Sequence, residues 1–394
     1  MHRRLCWVFP TLFANLRAQG GLRDPWVEYT RRVLTEEEFG YLRTFHQALS
    51  KTPLDPGDPR YVALYQRRDL AMDDPVELLA RGILWNDEGS TQLLSGFRGT
   101  GKSTELRRLK KQLEGHGYVV LLGDIEEYLN TTVPIDVTDF LMFLAGCLGD
   151  GLAREGVADR DALQGGFWAW LVTFFGRINL EEVKLGGKLG PEVAGVKVAE
   201  VNTELKLNLK QDNTFRAALQ RALAGHVGAL LREVQKYVDA CGEAVREARP
   251  KSKGLVLLID SLEHLRGTFA NANEVQASVE SLFVAQSDKL RLRNLHQVFT
   301  VPPWMKVRHA QIGAYYDGFQ MLPAIRVTDK QSQHAPFQPG IQALEAVVRA
   351  RERDWERLLG ARARLDRLIT LSGGHMRDLF GLLQEVLKRA EALP

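Results

Sequence analysis

The sequence predicts an α/β protein, a parallel sheet flanked by helices with an all-helical segment at its C-terminal end. Three observations carry this. Short apolar runs that do not alternate suit strands buried on both faces: TQLLS from Thr91, YVVLLGD from Tyr118, LVLLID from Leu255 and HQVFTV from His296. Amphipathic helical stretches lie between them. A glycine-rich turn, GFRGTG, joins the first run to the helical stretch TELRRLKKQL.

At 394 residues the chain is long enough for two or three domains and a substantial core. Its 45% hydrophobic and 26% charged residues are those of a globular protein, and a net charge of +3 gives no global drive toward nucleic acid or anionic membrane. The three cysteines, Cys6, Cys147 and Cys241, stand apart with no C-x-x-C, which points to a reducing compartment. The nine histidines form no H-E-x-x-H or Cys/His cluster, which speaks against structural zinc. No apolar run approaches the roughly 18 residues of a membrane span. LCWVFPTLF after His2, Arg3 and Arg4 is only faintly similar to a secretory leader, so the expected location is cytoplasmic.

Three regions follow from composition. Residues 1–60 read as an N-terminal helical segment and a linker. Thr35 and Glu38 form a capping box, and Pro53, Pro56 and Pro59 mark the linker. Residues 61–330 read as the sheet domain. Within it Asp74-Pro75 starts a helix, Gly117 ends the one after the glycine-rich turn, and Pro134-Ile135-Asp136 opens another. GFWAWLVTFF from Gly166 reads as a buried helix face. Around 178–210, VAGVKVAEV alternates in part and ELKLNLK alternates, after turns marked by Gly186-Gly187 and Gly190-Pro191, which predicts a small antiparallel β insertion. From Asp212 the apolar positions Phe215, Leu219, Leu223, Val227, Leu230, Val234, Val238 and Cys241 keep helical spacing, predicting one helix of about 45 Å. Pro323 to Val327 is the expected last strand. Residues 331–394 read as a second linker at 331–340 and, from Ile341, three helical pieces broken near Gly360 and at Gly373-Gly374.

The glycine-rich turn carries the chemistry. Gly96, Phe97, Arg98, Gly99, Thr100, Gly101, Lys102 and Ser103, followed by Thr104, spell G-x-x-x-x-G-K-S-T. This is the pattern of the phosphate-binding loop of P-loop NTPases. Glycines take backbone angles that side chains forbid, so successive N–H groups can converge on one anion at a helix N-terminus. In that reading Lys102 reaches the β- and γ-phosphates of ATP, and Ser103 binds Mg²⁺.

A partner acid for Mg²⁺ belongs at the end of a neighbouring strand, and Asp260 fits. Glu263 in DSLEHL is the candidate to orient and activate a water. Thr300 reads equally as a polar group near the terminal phosphate or as a satisfied strand-end hydroxyl. Arg377 in LSGGHMRDLF either reaches the phosphates or lies on the surface. Tyr61, Tyr65 and Ile83 are positioned to meet an adenine, although core packing suits each better.

GFRGTGKS, LVLLIDSLE, HQVFT and SGGHMR occur in the order and spacing of Walker A, Walker B, sensor 1 and sensor 2. Over residues 61–394 the chain resembles the AAA+ and STAND divisions of P-loop ATPases. IDSLEHL is similar to the Walker B of NACHT-type STAND proteins, and the SGG-x-x-R turn to the lid of origin-recognition-type AAA+ proteins. The resemblance implies a sheet ordered 5-1-4-3-2, a helical lid, ATP-driven oligomerisation and an arginine supplied by a neighbouring subunit, for which Arg308 is the candidate. The sequence departs in several places. Val301 and Pro302 follow Thr300 where STAND proteins carry an arginine, and Met376 stands where their lids place a proline. Asp260 and Glu263 form D-x-x-E rather than the adjacent D-E of most AAA+ unfoldases, and neither a winged helix nor sensor repeats are expected after the lid-like turn.

Two functional expectations result. One is a Mg-dependent ATPase acting as a nucleotide-driven switch or assembly ATPase of bacterial signalling or anti-phage type, self-associating with ATP and serving a separate protein partner. The other is a DNA-associated AAA+ ATPase of the loader or transposition-regulator type. It is supported by Arg349, Arg351, Arg353, Arg357, Arg362, Arg364 and Arg367, and weakened by the interleaved Glu352, Asp354, Glu356 and Asp366. A small-molecule kinase is disfavoured for want of an acceptor-binding motif.

Overall fold

The computed structural model describes residues 34–157, 210–332 and 335–392. Its strands are β1 (Ser90–Gly96), β2 (Val119–Asp124), β3 (Leu255–Asp260), β4 (His296–Val301) and β5 (Gly318–Leu322). They form one five-stranded sheet in the order β2-β3-β4-β1-β5, with every neighbouring pair parallel. All four expected apolar runs are strands, and the fold is α/β. The β insertion and the Gly166–Phe175 patch lie outside the described residues.

The helices are α1 (Glu36–Ala48), α2 (Pro75–Leu84), α3 (Lys102–Gly115), α4 (Val137–Arg154), α5 (Asn213–Leu223), α6 (Val227–Ala248), α7 (Ala272–Glu280), α8 (Trp304–Arg308), α9 (Gln338–Arg351), α10 (Glu356–Leu359), α11 (Arg362–Leu371) and α12 (Met376–Ala392). By contact the chain divides into two compact units, Met1–Ser50 with Phe380–Pro394, and Lys51–Leu379. In the described part of the first, the Thr35 capping box starts α1, Phe45 and Leu49 are buried, and Gln384 Nε2 donates to Leu49 O at 3.3 Å.

In the second unit β1, β3 and β4 are buried along their whole lengths. That explains their unbroken apolar character, since both faces of a parallel sheet are covered. On one face Phe140 of α4 meets Phe299 of β4 and Phe283 in edge-on contacts, with centroids 5.4 and 5.8 Å apart. Toward the other face α3 contacts β2 and β3, and α2 contacts β1 and β5. Within this layer Gln92, buried in β1, donates to Leu79 O at 3.1 Å. A Cβ on Gly82 or Gly318 would collide with its amide.

Three expectations are corrected. The single helix from Asp212 is two, because the chain breaks at Ala224-Gly225-His226, where an exposed glycine weakens the helix. The last strand is Gly318–Leu322, and Pro323 ends it. The following segment instead accepts the C-terminal helices, with Ile325 N donating to Gly374 O at 3.1 Å and Phe337 N to Val327 O at 2.8 Å. The C-terminal segment has an additional break at Glu352–Trp355, where the Trp355 side chain is fully buried, beside those at Gly360 and Gly373-Gly374. The proline-rich stretch 51–60 packs on α3: Thr104 Oγ1 accepts from Leu54 N at 3.2 Å, and Arg107 donates to Pro53 O.

One buried pair in the sheet makes stability depend on pH. Ser90 Oγ and His296 Nδ1 lie 3.0 Å apart between β1 and β4, and burial pushes the imidazole from 6.5 down to about 4. The unfolded chain takes up this proton near pH 6.5, whereas the folded chain refuses it until about pH 4. Stability is therefore full above the upper value and falls by about 3 kcal/mol as pH drops through the window. Urea unfolding across this range should show that loss, and His296→Gln should flatten it. An unchanged slope in the variant would contradict the assignment.

Candidate functional site

Because every strand pair is parallel, the carboxyl ends of the strands share one edge of the sheet, where ligands of open α/β folds sit. Gly96, Asp124, Asp260 and Thr300 all stand there. At this edge β1 gives way to the glycine-rich loop and α3. Gly99 and Gly101 have φ of +98° and +99°, angles that a Cβ would strain. Thr100 Oγ1 donates to Phe97 O at 2.9 Å and folds the loop on itself. From behind, the buried Tyr65 hydroxyl donates to Thr100 O at 3.1 Å or Pro323 O at 2.8 Å. Phe97 and Arg98 are exposed at the loop tip.

Lys102 opens α3 and is 3% exposed. Its ammonium donates to Gly96 O at 2.8 Å and Phe97 O at 3.0 Å, and pairs with Glu263 Oε1 at 2.8 Å. The other Glu263 oxygen, Oε2, is buried with no hydrogen-bond partner among the described residues. An ion pair withdrawn from water and left half-satisfied is costly, so these groups are shaped for something besides stability.

Parallel in-register pairing of β2 and β3 sets Asp124 beside Asp260. Burial pushes both carboxyls above the usual range. For Asp260 a hydrogen bond with the Ser103 side chain opposes this, while the negative charges of Glu263 and Asp124 reinforce it. Ser261 follows with φ of +68°, an angle unfavourable to a non-glycine residue. The angle is held by Ser261 Oγ donating to Asp124 Oδ2 at 2.9 Å, and by Ser261 N donating to Asp260 Oδ1 at 2.8 Å. This sharp turn carries Glu263 back over Lys102. Thr300, fully buried on β4 between β1 and β3, accepts from Leu262 N at 3.1 Å and fixes the same turn.

The helical segment reaches the site through Gly373-Gly374. Gly374 has φ of +80°, and a Cβ there would lie 1.6 Å from Ile325 O, so only glycine permits this approach. The turn lays Met376 on Gly101 and Arg377 on Gly99. A Cβ on those glycines would lie 2.8 Å from Met376 Cε and 2.5 Å from Arg377 Cβ. Arg377 Nε is buried with no hydrogen-bond partner among the described residues. Burial, then the charges of Arg98 and Arg266, push its pKa below the arginine value.

The structure thus brings Lys102, Ser103, Asp260, Glu263, Thr300 and Arg377 to one place. Arg308 is elsewhere, paired with Glu280. Tyr61, Tyr65 and Ile83 are occupied by packing: Tyr61 Oη donates to Glu105 at 3.4 Å, Tyr65 braces the loop, and Ile83 is fully buried. Arg107, Arg108 and Lys110 of α3 are likewise tied to acids, Arg107 to Asp55. Arg108 bridges Asp74 and Glu105, and Lys110 meets Glu114 and Glu155. Sequence reasoning missed Asp124 and Arg266. The signal for Asp124 was that YVVLLGD and LVLLID both end in an acid.

The arrangement fits a polyphosphate and a hard divalent cation. Left-handed glycines precede a helix start, cationic groups line the loop, and a hydroxyl stands beside a carboxylate. Comparison with protein-family models and with curated proteins gave no match to this chain.

The Gly374 turn is open to test. Gly374→Ala should lower stability by more than about 2 kcal/mol, because the backbone must shift away from Ile325. At Gly373, with φ of +59° and no atom within 4 Å of where the new methyl would stand, alanine should cost about 1 kcal/mol. Equal losses in chemical denaturation would contradict the close approach.

Proposed function

We propose that the chain is a Mg-dependent ATPase that works as a nucleotide-driven switch or assembly ATPase. The observation that carries this is the buried Lys102 ammonium, held between Gly96 O, Phe97 O and Glu263 Oε1 at the mouth of the glycine-rich loop. The strand order, read from the β5 edge as 5-1-4-3-2, supports a P-loop ATPase of the AAA+ or STAND kind. So does the placement of Thr300 and Arg377 around the loop.

In this reading the loop from Gly96 to Thr104 holds the phosphates of ATP. Lys102 exchanges Glu263 for phosphate oxygens, and Glu263 is freed to face the attacking water. Its carboxylate takes a proton from that water as the water oxygen bonds to the γ-phosphorus. The bond from that phosphorus to the bridging β-phosphate oxygen breaks, giving ADP and inorganic phosphate. Mg²⁺, held by Ser103 and Asp260, would supply charge neutralisation of the phosphates. Thr300 keeps the Glu263 turn in place. Arg377 reports the phosphates to the helical segment that it begins, and so couples occupancy to that segment's position.

Self-association with ATP and a separate protein partner remain part of the proposal. Arg349 and Arg362 share Glu345 as an ion-pair partner, which supports a salt-bridged helical face over a DNA-binding one. No helix among the described residues is long and apolar enough to cross a membrane.

Glu263→Gln should retain ATP binding and lose at least about a hundredfold in turnover. Lys102→Ala should lose binding. Because that change strands Glu263 as a buried unpaired charge, folding is checked by circular dichroism, and Lys102→Ala/Glu263→Gln is measured beside it. Full hydrolysis by Glu263→Gln would assign the chemistry to another group.

A further inference from the structure

We infer that Arg266 and Arg98 join Arg377 in a cradle of guanidinium groups for the terminal phosphate of a nucleoside triphosphate, letting the chain tell triphosphate from diphosphate. This rests on the polyphosphate reading of the loop.

The three come from separate elements. Arg98 belongs to the loop itself. Arg377 lies on Gly99, with its Cδ and Nε 3.0 and 2.9 Å from where a Cβ would stand. Arg266 hangs from the turn that carries Glu263, and its Nε donates to Glu263 O at 3.4 Å. Its backbone is pinned, with Arg266 N donating to Thr131 O at 3.2 Å. Gly267 follows with φ of +69°.

Among the described residues none of these arginines has an ion-pair partner, whereas Lys102 beside them is neutralised by Glu263. Burial depresses the Arg377 pKa, the positive charges of Arg98 and Arg266 add to this, and the carboxylates of Asp378 and Glu263 oppose it, so Arg377 is under like-charge repulsion. An anion relieves that repulsion, and the buried, unpartnered Nε of Arg377 supplies a donor for it. Arg266 shares its turn with the proposed base, and a base for water attack must stand next to the terminal phosphorus. That locates the cradle at the terminal phosphate, the group a diphosphate lacks.

The test is equilibrium titration of the full chain, with Mg²⁺, by fluorescent ATP and ADP analogues. Arg98 and Arg266 are exposed, so substitution should leave folding intact. Arg266→Gln should weaken the triphosphate about tenfold and leave the diphosphate within about twofold, and Arg98→Gln should weaken the triphosphate more than the diphosphate. Arg266→Lys should recover part of the loss. Wild-type binding of both analogues with an unchanged triphosphate-to-diphosphate ratio in Arg266→Gln overturns the cradle and leaves the polyphosphate reading standing. No binding of either analogue by the wild type overturns both.

Discussion

The buried ion pair between Lys102 and Glu263 is the interaction on which the site depends. The ammonium satisfies two main-chain carbonyls and one carboxylate oxygen, and so closes the glycine-rich loop on itself. The second carboxylate oxygen is left without a partner. Two charges removed from water gain little net stability from each other, and removing one partner costs about 3–5 kcal/mol. A phosphate oxygen is a better partner for the lysine than this carboxylate, because phosphate brings charge and helix-end hydrogen bonds together. The pair holds the loop in shape, and in the proposed ATPase it would keep Glu263 engaged until phosphate arrives.

The sheet produces this geometry by register. Parallel pairing sets the strand ends on one edge, so residues far apart in sequence stand side by side. Leu94 faces Thr300 across β1 and β4, and Asp124 faces Asp260 across β2 and β3. Thr300 and Asp124 hold the turn after β3. They fix the Leu262 amide and the left-handed Ser261, and those bonds aim the turn that brings Glu263 over the loop. From the opposite side Gly374, which has no room for a side chain, lays Met376 and Arg377 on the loop glycines.

Much of this was legible in the sequence because the decisive signals were local. Apolar runs ending in acids marked β2 and β3, and the spaced glycines before Lys102 marked the loop. The two glycines before His375 marked the approach of Arg377. What was not legible depended on tertiary context. The apolar spacing of Leu219, Leu223, Val227 and Leu230 runs on through Ala224-Gly225-His226, so periodicity does not disclose that break. GFQML pairs with β1 at the sheet edge and is half-buried over most of its length, so no unbroken apolar run marks it as a strand. Tyr65 has the composition of a base-stacking residue, yet its hydroxyl is placed against Thr100 O and Pro323 O. Arg266 carried no motif, and its place became apparent only once the turn after Asp260 was folded.

The affinity of the wild-type chain and of Glu263→Gln for ATP with Mg²⁺, compared by calorimetry, tests the central claim most directly. If the ion pair competes with phosphate for Lys102, neutralising Glu263 removes the competitor, and the variant should bind ATP about tenfold more tightly than the wild type. Equal or weaker binding by the variant would contradict the account.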